Sequence, residues 1–194
     1  MPTTAQTIAP TTVLRGSGAW AESLAPIRGL CRRPMLLGRS AATAPLRQRL
    51  GRELSAAGLD PWPAALLHDC CEDDLQPLAA AAGAHNADAV IAVGGGKVLD
   101  AGKLLAHRLE LACITVPTSA ATCAGWTALA NVYTAAGAFC HDVALRRCPE
   151  LLVFDHDLVA SAPGRTLASG IADAVAKWYE ASVSSGGSAD GLVQ

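Results

Sequence analysis

The chain has 194 residues, of which 51% are hydrophobic and 16% charged, a balance that can build a sizeable core and excludes intrinsic disorder. Its formal net charge of −2 argues against a nucleic-acid binder that works through a basic surface. No apolar run approaches the ~18 residues that a membrane span needs.

Residues 1–10 are rich in Thr and Ala, without a basic start or an apolar stretch, so they do not read as a signal peptide. Residues 34–38 form a short strand candidate. Residues 42–57 predict a helix with Leu46, Leu50 and Leu54 in register and Gly58 at its end. Residues 62–68 are a weaker strand, and residues 72–82 an alanine-rich helix stopped by Gly83.

Residues 89–93 are a continuous apolar run sized for a strand covered on both faces. Gly94, Gly95 and Gly96 follow. A helical pattern then places Val98, Ala101, Leu105 and Leu109 on one side and Lys97, Asp100 and His107 elsewhere. Strand, glycine turn and helix bring bare backbone N–H groups and a positive helix end to a phosphate. Neither familiar fingerprint is met. Leu99 stands where a dinucleotide motif has its third glycine, and Val98 where a P-loop has Ser or Thr.

Residues 111–116 are a second buried strand ending at Pro117. From 117 to 137 the residues turn small and hydroxylated: Thr118, Ser119, Thr122, Thr127, Asn131, Tyr133 and Thr134. Residues 151–154 are a further strand, followed by Asp155. Ser161 and Pro163 mark a helix start. Residues 166–182 are amphipathic, with Leu167, Ile171, Ala174 and Trp178 on one face and Asp173, Lys177 and Glu180 on another. Strands alternating with helices imply a mostly parallel α/β sheet covered on both faces, with ligands beyond the carboxyl ends of its strands. Seven cysteines, an odd number without Cys-x-x-Cys spacing, read as reduced thiols in a cytoplasm, with Cys113 a small core residue.

Three blocks carry a family resemblance: Val93-Gly-Gly-Gly-Lys-Val-Leu-Asp100, Val116-Pro-Thr-Ser-Ala-Ala-Thr122 with its continuation to Tyr133, and Gly170-Ile-Ala-Asp-Ala-Val-Ala-Lys-Trp-Tyr-Glu-Ala181. Together they resemble the iron-containing alcohol dehydrogenase superfamily, in its glycerol dehydrogenase branch, over residues 11–185. The resemblance implies a Rossmann-like α/β nucleotide-binding domain over 1–162 and, over 163–194, the start of an incomplete all-helical metal-binding domain, so that the chain is the amino-terminal half of a family member. It implies NAD or NADP as cofactor, a small alcohol or polyol as substrate, and a homo-oligomeric full-length parent.

Carried over by position, Gly94, Gly95, Gly96 and Lys97 would wrap the pyrophosphate, and Asp100 lies near that site. Thr118, Ser119, Thr127, Leu129 and Tyr133 would hold the rest of the dinucleotide. Asp173 would be the carboxylate ligand of a catalytic zinc or iron ion, which polarises the substrate hydroxyl. Cys123 stands where glycerol dehydrogenases contact the substrate hydroxyl with an Asp. The two histidine ligands of the family have no match, because His68, His85, His107, His141 and His156 all precede Asp173. The chain alone is therefore expected to be inactive. At the end of the first strand, Gly38-Arg39-Ser40 replaces the acidic residue that often binds the adenosine ribose, and a cation there favours a 2′-phosphate. A dehydroquinate synthase-like lyase on the same scaffold and a non-catalytic nucleotide-binding module are the competing readings.

Overall fold

The computed structural model describes residues 8–184 and 186. Six parallel strands form one sheet: β1 (Thr12–Gly16), β2 (Pro34–Gly38), β3 (Trp62–Ala65), β4 (Ala89–Gly94), β5 (Ala112–Pro117) and β8 (Leu151–Asp155), in the order β1-β8-β5-β4-β2-β3. Between β5 and β8 the chain makes a separate antiparallel hairpin, β6 (Leu129–Tyr133) and β7 (Phe139–Ala144).

The helices are α1 (Ala19–Leu30), α2 (Ala44–Ala56), α3 (Glu72–Ala84), α4 (Gly96–Leu109), α5 (His156–Ala160) and α6 (Gly164–Ser184). They divide between the two faces of the sheet. Alternation along β4 shows how: Val90 and Ala92 join Leu75, Leu104, Leu105 and Val132 from α3, α4 and the hairpin. Ala89, Ile91 and Val93 join Trp20, Ile27, Leu50, Leu54 and Leu158 from α1, α2 and α5. Every residue of β2 and β4 is buried, which is why these strands read as continuous apolar runs. Each fully buried side chain such as Ile91 or Leu105 contributes roughly 1.5–3 kcal/mol. Helix α4 lies hard on the sheet: a Cβ at Gly102 would stand 2.4 Å from the Ala92 Cβ.

The α/β expectation holds, with local corrections. Strand β3 ends at Ala65, and residues 66–71 form a loop instead. Helix α3 runs through Gly83 to Ala84, and the chain reverses at Asn86, whose φ of 51° is left-handed. The sequence reading assigned no structure to β1, α1 or the hairpin. Helix α1 carries Pro26 inside it, and β7 is exposed along nearly all its length, so neither shows a clean apolar period. Asp100, placed off the apolar side of α4 by its spacing, is not at the surface. It is buried, as is Lys103, because α4 is covered from Val98 to Ala106.

Helix α6 turns its smaller, more polar face inward. Gly170, Asp173 and Ala176 are half-buried, while Leu167, Ile171, Val175 and Trp178 are exposed, Trp178 by 76%. At Gly170 the helix meets the loop after β5 so closely that a Cβ would sit 1.8 Å from the Ala120 carbonyl oxygen. Among the described residues no helix is long and apolar enough to cross a membrane.

Candidate functional site

Strands β2, β4 and β5 end on the same edge of the sheet, at Gly38, Gly94 and Pro117. The three loop glycines are there for different reasons. A Cβ on Gly94 would come within 2.7 Å of the Val98 side chain, and one on Gly96 within 3.1 Å of the Thr122 hydroxyl. These two are packing glycines. A Cβ on Gly95 would meet only the Ser119 hydroxyl, at 3.9 Å. Packing alone leaves room for a larger residue there, so its bareness keeps the mouth of the loop open. Gly95 is also the N-cap of α4 and offers no side-chain cap, which leaves first-turn amides of the helix directed at the cleft.

Two adjoining cavities open here, sharing Gly96 and Lys97. One, of about 260 Å³, is lined by Arg39, Ser40, Thr43, Gly94, Gly95, Lys97 and Thr118 among others. The other, of about 540 Å³, takes in Asp100, Cys123, Thr127, Leu129, Tyr133, Asp173 and Lys177. The residues singled out from sequence thus converge on one cleft. Ser119 reaches it through its approach to Gly95.

The cleft carries a chain of charges. The Asp69 carboxylate, from the loop between β3 and α3, accepts from Arg39 on one oxygen and from Lys97 Nζ on the other, at 2.5 Å. Lys97 Nζ also lies 4.5 Å from the centre of the Tyr133 ring, a cation–π contact that fixes the ammonium beside the glycine turn. Beneath, Lys103 Nζ pairs with Asp100 Oδ1 at 3.0 Å. It also donates to the Thr127 carbonyl at 3.2 Å, the Thr127 hydroxyl at 3.1 Å and the Leu129 carbonyl. Asp100 Oδ2 accepts the Asn131 N–H at 3.3 Å. Burial raises the Asp100 pKa, against the opposing pull of Lys103 and its hydrogen bonds. The buried pair therefore pins the Thr127–Tyr133 segment to α4 and so shapes the wall of the larger cavity.

On α6, Asp173 pairs with Lys177 at 3.3 Å, and Lys177 with Glu180 at 2.6 Å. None of the five histidines lines the cavity that holds Asp173. His85 stacks on Trp62, and His156 packs edge-on to Phe154. His68, Cys71 and Asp74 lie close together, but both Asp74 oxygens are engaged by the His68 backbone N–H and ring, a closed arrangement at the start of α3. Burial pushes the Cys31, Cys70 and Cys113 thiols up to about 12, leaving them inert. Cys123 is exposed.

Sequence reasoning missed Asp69 and the role of Lys103. The i, i+3 spacing of Asp100 and Lys103 was a usable signal. No local signal pointed to Asp69, whose partners are 30 and 28 residues away.

Residues 10–156 match the family model for iron-containing alcohol dehydrogenases. An uncharacterized oxidoreductase of Synechocystis sp. is 47% identical over 189 residues, covering 97% of this chain and 49% of the relative. Hydroxycarboxylate dehydrogenase A of Escherichia coli is 44% identical over 114 residues, covering 59% and 31%. The crystal structure of a probable glycerol dehydrogenase from Sinorhizobium meliloti superimposes with a TM-score of 0.80 at 28% identity, over 90% of this chain and 48% of that one. The chain spans about half the length of these fuller-matching relatives. With a parallel sheet, a glycine turn at the end of β4 and this match over most of its length, the chain belongs to the iron-containing alcohol dehydrogenase family.

Proposed function

We propose that this chain supplies the dinucleotide-binding part of a metal-dependent NAD(P)-linked oxidoreductase that acts on the CH–OH group of a small alcohol or polyol. The observation that carries the reading is the open space at Gly95, in front of an uncapped helix start and beside Arg39 and Lys97. Bare amides, a positive helix end and the Lys97 ammonium suit a pyrophosphate. Gly94 to Lys97 would bind it. Thr118 and Ser119 would flank it, and Thr127, Leu129 and Tyr133 would bound the nicotinamide side. Asp100 would act from beneath, through Lys103, by holding that wall in place. The bound nicotinamide supplies hydride acceptance. The residues of the chain supply binding, orientation and exclusion of water.

Asp173 opens onto the same cavity and is proposed as one ligand of the divalent ion, zinc or iron. One carboxylate falls short of the roughly three protein ligands that a catalytic zinc takes, so the described residues alone do not make a metal centre. Cys123 is proposed as a wall of the substrate space. A thiol accepts a hydroxyl proton poorly, which turns the cavity away from glycerol.

Dinucleotide titration, followed by protein fluorescence, tests the reading on wild type and Gly95→Val. A Cβ at this position meets nothing closer than 3.9 Å, and the valine methyls fill the space needed by the pyrophosphate, so affinity should drop by more than about 100-fold, or ~2.7 kcal/mol, with thermal unfolding confirming that the variant is folded. Equal affinity in the two proteins rules the cradle out.

A further inference from the structure

The cations at the mouth of the glycine loop share a partner that changes what they can recognise. Arg39, directly after β2, and Lys97, in the first turn of α4, both bond to Asp69. The Asp69 side chain is only 8% exposed, whereas Arg39 and Lys97 are 42% and 43% exposed. The carboxylate therefore stands behind the two cations, and they face the cleft. Strand β2 pairs directly with β4, and the end of the strand beside the glycine-loop strand is where the adenosine ribose of a dinucleotide lies. Arg39, which lines the smaller cavity, is thus at the ribose, with Asp69 behind it.

A lone guanidinium there would suit a 2′-phosphate. This one is already matched by a carboxylate, and a dianionic phosphate would have to share the Arg39 side chain with a nearly buried negative charge. A ribose hydroxyl meets no such conflict. Being neutral, it does not compete with Asp69 for the two cations.

We infer that Asp69 is the specificity-determining residue of the cleft and makes it select a dinucleotide with an unphosphorylated adenosine ribose, NAD over NADP, in spite of Arg39. The inference rests on the dinucleotide reading above.

Separate titrations with NAD and NADP on wild type, Asp69→Asn and Arg39→Ala test it by binding alone, with thermal unfolding to confirm that each variant is folded. Wild type should bind NAD at least about tenfold more tightly, and Asp69→Asn should narrow that ratio about tenfold or more, mainly by gaining NADP affinity. Arg39→Ala, at a more exposed position, should widen the ratio, because it uncovers the carboxylate towards the 2′-phosphate with Lys97 as its remaining partner. It provides the test if Asp69→Asn does not fold. A wild type that prefers NADP, a ratio unmoved by Asp69→Asn, or a ratio narrowed by Arg39→Ala overturns the inference while leaving the dinucleotide reading standing. Failure of folded wild type to bind either dinucleotide overturns both.

Discussion

Replacing Lys103 with Met removes the ammonium and keeps most of the chain length. Lys103 and Asp100 are 1% and 7% exposed at their side chains, so the substitution strands a carboxylate in the core and takes the donor from two backbone carbonyls, those of Thr127 and Leu129. Breaking one partner out of a buried pair costs about 3–5 kcal/mol, against a total stability of roughly 5–15 kcal/mol for a domain. The loss should appear in urea unfolding as a lower midpoint with an unchanged slope. Asp100→Asn in the same background should recover part of it, because the stranded charge is then gone.

The pH dependence has a definite sign. Burial is the largest influence on Asp100 and raises its pKa above the ordinary value, while Lys103 opposes the rise. Above the unfolded pKa, the folded state then binds more protons at this group than the unfolded chain, and its contribution to stability declines as pH rises through the folded pKa. Without Lys103 the folded pKa climbs further. The deficit of Lys103→Met relative to wild type should therefore shrink as pH is lowered from about 8 towards 5. A variant within about 1 kcal/mol of wild type at neutral pH, or a deficit that grows on acidification, would refute the claim that the pair is a buried anchor.

Two further substitutions probe the region around α6. Gly170→Ala places a methyl 1.8 Å from the Ala120 carbonyl oxygen. It should shift α6 or the loop, and hydrogen exchange at residues 118–122 should rise while the sheet stays protected; unchanged exchange would deny the contact. In the full-length protein, Asp173→Asn should lose bound metal and turnover together, read by metal analysis of the purified variant. Full metal occupancy would leave Asp173 as no more than the partner of Lys177.

Legibility in the sequence followed the reach of the interactions. Strands β4 and β5 and the turn between β4 and α4 announce themselves, because burial on both faces and close backbone approach each leave a local mark, an apolar run and three glycines. The later site residues, from Thr118 to Asp173, came from matched blocks and not from any period, and the structure does place them around one cleft. Asp69 escaped because its partners lie across the sheet edge, brought there by the β2–β3 and β3–β4 crossovers. Asp100 was left off the apolar side of α4 because an apolar count has no place for a buried carboxylate. It could not register that Lys103, one turn on, lets both be buried. The orientation of α6 was equally hidden. Its apolar stripe did not say which way the helix would face, and the closest approach to the sheet is made by a glycine.

That approach at Gly170 has a mechanical consequence. It acts as a fulcrum about a third of the way along a 21-residue rod. Asp173 is three residues away, about 4.5 Å along the axis, and Val183 thirteen, about 20 Å. A 10° tilt about this point would move Asp173 by less than about 1 Å and Val183 by about 3.5 Å, on the same rise per residue. The outer, apolar end of α6 can therefore swing to meet whatever packs on it while the carboxylate keeps its place beside Cys123 and Tyr133.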